Sequence, residues 1–358
     1  MRGLPVQMAF LTIVLVATPS ALHAADAAPA CTPARIPQAW ASSGTTYADT
    51  DSLAACTTPD GKTMLFATSK QGHCIDIFDG ETGRFVRRHG RQGAGEGDFN
   101  RPNGIAVVEF PVAGATTAPA WSPTRPVVFV VERDNARVQA FWPGDLKPAG
   151  LFGKEQLKKP YGLAVSYHPD GILLYVTDND VPSEHAVKVY RVRLHERNVK
   201  AEYVRNLGDA TGIGALGKTE TVAVDDRLDR VLLCDEAPDQ LCVKVYTRNG
   251  RFTGRTFGRG LIRGQPEGMA VYDAPGEGVV ILTDQQPDIT IWHVFDRNDY
   301  RHLGAFTGEP TIANTDGVCL YARPFGRFSS GAFFAVHDDS DIRAYDYADV
   351  LRGIRKTR

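Results

Sequence analysis

Six polar residues of this sequence each stand directly before a short apolar run, and a second polar residue ends the next apolar run. The first set comprises Asp51, Asn103, Tyr161, Glu220, Glu267 and Asp316. The second set comprises Lys70, Arg133, Asn179, Glu236, Gln285 and Asp338. Carboxylate and amide oxygens bind hard divalent cations, whereas Lys and Arg bind anions. Together the two sets predict a site for a metal ion and an anionic substrate.

Charge is spread unevenly over these positions. Lys70 and Arg133 belong to the first two copies, while carboxylates dominate the last three copies and recur at Asp51. Clustered carboxylates repel one another unless a cation neutralises them, and an all-oxygen set suits Ca²⁺ better than metals that prefer His or Cys. The predicted metal ligands are Asp51, Glu220, Glu236, Glu267, Gln285, Asp316 and Asp338.

The cationic positions are expected to face these carboxylates across a common site, with Tyr161 between them. That layout favours a phosphate ester, attacked by metal-activated water without a Ser, Cys or His nucleophile. The predicted catalytic residues are Lys70, Arg133, Tyr161, Glu220 and Glu267. The simpler interpretation is that polar side chains line a wet channel and do no chemistry.

The elements that must position these residues follow from a repeat. The apolar residues Leu53, Ile105, Leu163, Val222, Met269 and Val318 are separated by 52, 58, 59, 47 and 49 residues. A period near fifty is typical of propellers and solenoids, and each copy contains several alternating, β-branched or aromatic runs. We therefore predict an all-β fold, a six-bladed β-propeller of four-stranded blades whose first strands surround a central channel.

Length and composition agree with one large domain. The chain has 358 residues, of which 35 are Gly and 22 are Pro, as expected for many turns. We place the propeller over residues 41–346, with a disordered lead-in over 25–40 and a short helix or tail over 347–358. Residues 41–48 are expected to add an outer strand to the last blade. The net charge of −2 gives no reason to expect a nucleic-acid partner.

The amino terminus has the pattern of a secretory signal peptide. Arg2 precedes the apolar run Met8–Val16, and the ending Ala21-Leu22-His23-Ala24 predicts cleavage after Ala24. The mature protein is then expected to be periplasmic or secreted, free of the membrane and monomeric. All six cysteines lie beyond residue 24, and we predict a Cys234–Cys242 disulfide across a hairpin.

Two stretches resemble NHL-type propeller repeats. Arg87–Val107 reads RRHGRQGAGEGDFNRPNGIAV and Phe129–Phe141 reads FVVERDNARVQAF. The Gly-rich segment Gly90–Gly97 is therefore interpreted as a turn that connects blades, because it lacks the Walker pattern and a following helix.

Four motifs of the mature chain are KTETVAVDD at Lys218–Asp226, QPEGMAVY at Gln265–Tyr272 and NTDGV at Asn314–Val318, with ATSK at Ala67–Lys70 in the first half. Through these motifs most of the mature chain, from Asp49 to about Asp339, resembles the β-propeller phytases. That family consists of secreted, Ca²⁺-dependent phosphatases that hydrolyse phytate, myo-inositol hexakisphosphate.

The resemblance implies roles for individual residues. Ca²⁺ ligands would be Glu220, Glu236, Glu267, Gln285 and Asp316, with Asp51 and Asp338 as further acidic candidates. The phosphate would be held by Lys70, Arg133 and Tyr161. Departures from the family pattern at Asn179, Gln265 and Asn314 imply weaker binding of Ca²⁺ and phytate. Two alternatives remain: a non-catalytic propeller that binds a protein or glycan, and a lactonase-like propeller hydrolase with one central metal.

Overall fold

A computed structural model describes residues 32–45, 48–111, 124–273 and 278–356. The predicted signal peptide, the first part of the lead-in and Cys31 lie outside these residues. Within the described residues, no helix combines the length and the apolar character needed to cross a bilayer.

The described strands form six sheets. Blade one comprises Thr50–Thr57, Thr63–Ser69, Cys74–Asp79 and Phe85–His89, and blade two comprises Pro102–Pro111, Thr124–Glu132, Arg137–Phe141 and Pro148–Phe152. Blade three comprises Lys159–His168, Gly171–Asn179, Val187–His195 and Asn198–Leu207, and blade four comprises Val222–Asp225, Arg230–Asp235, Cys242–Thr247 and Phe252–Phe257. Blade five comprises Met269–Tyr272, Val279–Asp284, Ile291–Asp296 and His302–Glu309, and blade six comprises Val318–Tyr321, Ala332–His337 and Asp341–Asp346 together with Trp40–Ala41.

The first strands of the blades surround the channel. Each one contacts the first strands of the two neighbouring blades, and blade six contacts blade one in the same way. The six-bladed β-propeller that the repeat predicts is therefore confirmed. Apolar side chains fill the six wedges between neighbouring blades, so each sheet is buried on both faces.

The prediction for the amino-terminal segment is wrong in part. Ala34–Pro37 forms a strand parallel to His302–Glu309 and adds a fifth strand to blade five. The closing strand of blade six is Trp40–Ala41, which pairs with Arg343 and Ala344, and not the longer segment 41–48. Burial explains why these two short segments pair with blades five and six. Ile36 and Trp40 are only 3% and 7% exposed, and each belongs to an interblade wedge.

The carboxyl-terminal helix is confirmed at Tyr347–Lys356. Its residues Tyr347, Val350 and Ile354 are buried in the wedge between blades five and six. A short 3₁₀ helix, Ser183–His185, interrupts blade three between its second and third strands.

The predicted Cys234–Cys242 disulfide is absent, and both cysteines are free and buried. Cys234 is opposite Val243 in the hairpin, whereas Cys242 is opposite Asp235. Because successive side chains of a strand point to opposite faces of the sheet, the two sulfur atoms lie on different faces.

Candidate metal and substrate site at the channel mouth

Glycines set how closely the first strands approach one another around the channel. A Cβ atom on Gly162 would lie 2.3 Å from the carbonyl oxygen of Glu220, and one on Gly317 would lie 2.3 Å from that of Asp51. The Gly317 N–H donates to this Asp51 oxygen over 2.9 Å. Because Gly162 and Gly317 have no side chain, the backbone of Glu220 or Asp51 in the next blade can lie against them at the channel wall.

The polar residues at the ends of the second strands are positioned by the buried acids directly before them. Four blades carry such an acid, and the four are Glu132, Asp178, Asp235 and Asp284. Each accepts hydrogen bonds from backbone N–H groups in the segment that leads into its own blade. A basic or imidazole side chain on the third strand faces each acid, and the four are Arg137, Lys188, Lys244 and His293.

Blade two shows how this arrangement organises a turn. The buried Arg137 side chain pairs with Glu132 and also donates to the carbonyl oxygens of Ala94, Gly95 and Asp98. The Gly-rich segment is thus held as the turn between blades one and two, as its sequence predicts.

Three glutamates from blades four and five converge at the channel mouth. One carboxylate oxygen from each of Glu220, Glu236 and Glu267 lies within 4.8 Å of those of the other two. Lys218 Nζ donates to Glu236 Oε2 over 2.7 Å and lies 3.1 Å from Glu220 Oε1. Glu236 Oε1 is buried and has no hydrogen-bond partner among the described residues. We call these three residues the glutamate triad.

The electrostatics of the glutamate triad favour protonation or a bound cation. Burial and the neighbouring Glu220 raise the pKa of Glu236 to about 8. Burial also raises the pKa of Glu267 well above its usual range, with Glu236 as the next cause. Since an uncompensated buried charge is costly, the site would gain from a cation that faces all three oxygens.

Lys70 does not stand apart from the carboxylates as the sequence suggests. Its ammonium group lies 2.6 Å from Asp51 Oδ2, 3.0 Å from Asp316 Oδ2 and 3.6 Å from Asp49 Oδ1. Closure of the ring places blade one beside blade six, so Lys70 of blade one meets Asp316 of blade six. The predicted separation of cations from carboxylates is therefore wrong for Lys70.

Tyr161 lines the channel mouth, and Arg133 lies next to it. The Arg133 guanidinium carbon is 5.9 Å from the centre of the Tyr161 ring, and its Nε donates to Asp134 over 2.7 Å. Arg133 is not among the described residues that line the channel itself. A third cation, Lys159, lies on the same side and pairs with Asp180 over 2.9 Å.

The other predicted residues are distributed around the same mouth. Asn103 and Gln285 line it, and the Gln285 side chain donates to Asp316. Asn179 Nδ2 donates to Glu220 over 3.4 Å. Asp338 is not among the described lining residues, whereas its neighbour Asp339 is.

Sequence reasoning missed three charged residues of the site: Lys218, Asp49 and Asp339. Lys218 stands two residues before Glu220, a spacing that places both on one face of an extended segment. Asp339 and Asp49 are brought together by tertiary contacts, because the Thr50 N–H donates to the Asp339 carbonyl oxygen and the Lys70 N–H to that of Asp49. No spacing in the sequence indicates that Asp339 and Asp49 come together.

The mouth is acidic as a whole. Five carboxylates of the described residues line it, and they are Asp51, Glu220, Glu267, Asp316 and Asp339. Asp49 and the fully buried Glu236 are not lining residues, but they contact Lys70 and Lys218, respectively. Two ammonium groups, those of Lys70 and Lys218, lie among them. The cleft has a volume of about 350 Å³, which admits a small molecule together with an ion.

Comparison with known proteins gives the fold alone. No protein-family model and no curated protein matches the chain. Among solved structures, the chain is similar to an α-L-arabinofuranosidase from Fusarium graminearum, with a TM-score of 0.56, 9% identity, and coverage of 90% of this chain and 99% of that one. It is also similar to a luciferin-regenerating enzyme (TM-score 0.50, 10% identity, 84% and 92% covered) and to a chain of the nidogen/laminin complex (TM-score 0.51, 13% identity, 80% and 90% covered).

These similar propellers include hydrolytic enzymes as well as a protein-binding module. Their identities to this chain are too low to transfer a substrate. The site has to be interpreted from its own residues.

Proposed function

We propose that this protein is a divalent-cation-dependent hydrolase whose glutamate triad holds Ca²⁺. The observation that carries the proposal is the buried Glu236 Oε1, which has no hydrogen-bond partner in the part of the chain that the structure describes and belongs to a group of three carboxylates within 4.8 Å of one another. Lys218 neutralises one side of the triad and leaves this oxygen free. The donor set consists of hard oxygens, which fits Ca²⁺.

When bound, the ion supplies charge neutralisation and Lewis-acid activation of water. The chain's own residues would orient the reaction. Asp235 fixes the backbone of Gly217 and Lys218, so the ammonium of Lys218 stays against Glu220 and Glu236. Tyr161 of the neighbouring blade three offers a phenol at the mouth.

The favoured substrate is a phosphate monoester, and phytate is the substrate of the family that the sequence resembles. Arg133, Lys159 and Tyr161 support this choice because they gather cations and a hydrogen-bond donor on one side of the mouth. A guanidinium can bind two phosphate oxygens at once. The enzyme would then be a phytase-type phosphomonoesterase, working as an exported monomer without nucleic-acid or membrane partners.

A second candidate is a metal-dependent hydrolase of an uncharged ester or lactone. The pairing of Lys70 with Asp49, Asp51 and Asp316 favours it, because that ammonium is already neutralised and the mouth remains acidic. A highly charged phosphate would meet strong repulsion there unless metal ions offset it.

The experiment that tests the proposal measures phosphate release from phytate and from p-nitrophenyl phosphate, and hydrolysis of a lactone, with added Ca²⁺ or with chelator. Glu236→Gln is the test variant and Glu202→Gln, an exposed position, is its matched control. Ca²⁺-dependent turnover that Glu236→Gln lowers at least about 100-fold and Glu202→Gln leaves unchanged would support the proposal.

The substrate class follows from which of the three compounds is hydrolysed. Folded protein that turns over none of them with Ca²⁺ would refute the hydrolase and leave a binding propeller as the better account.

A further inference from the structure

The ammonium group of Lys70 stands where a metal ion could stand. It lies among three carboxylates, at 2.6, 3.0 and 3.6 Å from oxygens of Asp51, Asp316 and Asp49. The lysine side chain is 18% exposed, so it is largely held inside the channel wall. Asp339 also lines the mouth here and completes a second acidic group beside the glutamate triad.

The positions of these carboxylates are fixed by the backbone. Gly317 donates to the Asp51 carbonyl oxygen, and a side chain at Gly317 would collide with that oxygen. Asp51 Oδ1 accepts from Ser52 Oγ over 2.6 Å, and Gln285 donates to Asp316. Because these contacts hold the carboxylates of Asp51 and Asp316 in place, the two cannot separate freely when the ammonium group of Lys70 is removed.

The geometry points to Lys70 as a built-in counter-ion that occupies a second cation position next to the glutamate triad. A tethered ammonium is present at a very high effective concentration, so a divalent ion from solution would have to displace it. The wild-type chain therefore takes no divalent ion at this second position. Loss of the ammonium would leave Asp49, Asp51 and Asp316 as a set of hard oxygen ligands of the kind that Ca²⁺ accepts.

This inference rests on the proposed function only for the ion at the triad. The inference adds that Lys70 limits how many divalent ions the mouth binds. It also adds that Lys70 can bind a substrate anion only after its ammonium group has released a carboxylate. Substrate binding by Lys70 is thus a competition, in which Asp51 and Asp316 oppose the incoming anion.

The test is isothermal titration of CaCl₂ into the metal-free mature chain and its Lys70→Met variant. Lys62→Met is the matched control, since Lys62 is 70% exposed and pairs with Asp60 at a distance of 3.9 Å. We expect about one more Ca²⁺ per chain for Lys70→Met than for the wild type, and no change for Lys62→Met. In Lys70→Met/Asp316→Asn the additional ion should be lost again.

A second measurement keeps the inference testable if Lys70→Met does not fold. Asp316→Asn in the wild-type background should leave the Ca²⁺ stoichiometry unchanged, because Asp316 faces Lys70 and not a metal ion. Loss of an ion from this variant, or equal stoichiometry for folded Lys70→Met and wild type, would overturn the inference. A wild type that binds no Ca²⁺, beside a Lys70→Met chain that binds one, would refute the metal at the triad and leave the inference standing.

Discussion

Glu236 is the residue at which stability and the proposed function conflict. Its carboxylate is buried close to those of Glu220 and Glu267, and one of its oxygens has no partner within the described ranges. A core under no functional demand would place an amide or an apolar group there, because replacing a poorly compensated buried charge is commonly neutral or stabilising. Retention of three acids at this point is what a cation site requires.

The raised pKa of Glu236 gives a pH dependence for the metal-free protein. The folded-state pKa of about 8 lies well above the ordinary pKa of a glutamate, 4.5, so the folded state holds a proton that the unfolded state releases. The contribution of this group to stability is complete below about pH 4.5 and is lost as the pH rises towards 8.

We therefore expect the melting temperature of the metal-free chain to fall between pH 5 and pH 8, and the gain from Ca²⁺ to be larger at pH 8. Differential scanning calorimetry at both values, with Ca²⁺ or with chelator, measures this. In Glu236→Gln the fall should be smaller and the Ca²⁺ gain should disappear. A Ca²⁺ gain that is equal at the two pH values would contradict the electrostatic account.

At the scale of elements, the first and second strands deliver the site residues, and in four blades a buried acid fixes where the second strand ends. Asp235 is the clearest case, since it is fully buried, pairs with Lys244 over 2.8 Å and accepts from the N–H groups of Gly217 and Lys218. Its neighbour along the strand is Glu236. The same acid therefore helps to position both Glu236, the proposed ligand, and Lys218, its counter-ion.

Asp235→Ala should destabilise the protein by about 3 to 5 kcal/mol, because it leaves Lys244 buried without its partner. The double variant Asp235→Leu/Lys244→Met should lose much less, since neither charge is then left buried alone. Urea unfolding of both, with the exposed Asp60→Ala as control, gives the comparison. Equal losses for the single and the double variant would show that the charge pair is not the cause.

Gly162→Ala should disturb the channel wall from a neighbouring blade. A Cβ atom there would meet the Glu220 carbonyl oxygen at 2.3 Å, so one of the two strands has to shift. We expect a loss of about 1 to 3 kcal/mol together with weaker Ca²⁺ binding. Gly144→Ala is the control, because nothing lies within 4 Å of its Cβ position. Thermal unfolding and calcium titration would check both effects. Unchanged Ca²⁺ affinity would show that Gly162→Ala lowers stability without changing the geometry of the site.

The whole molecule depends on ring closure, which joins the two ends of the described chain. Trp40–Ala41 completes blade six, and Ala34–Pro37 lies on the outer edge of blade five. Closure also brings Lys70 of blade one to Asp316 of blade six, 246 residues apart in sequence. The electrostatics of the mouth are therefore a property of the closed ring.

A chain that begins at Ser42 should be much less stable than one that begins at Ala25, because blade six loses its outer strand and the core loses Ile36 and Trp40. The expected loss is at least about 4 kcal/mol, from two large buried side chains. A chain that begins at Thr32 keeps both strands and is the control. Circular dichroism melting compares the three chains, and equal melting temperatures would show that closure does not depend on this segment.

The sequence by itself determined the number of blades and most of the polar positions at the mouth. These are periodic features, and a strand alternates its faces whatever its neighbours are. Only the tertiary structure decided which charges meet. Lys70 was expected to face the carboxylates as a substrate ligand, yet ring closure made it their counter-ion, and Asp49 and Asp339 joined the site through contacts that no local pattern encodes. Electrostatic pairing depends on distance in space, and that distance exists only once the ring has closed.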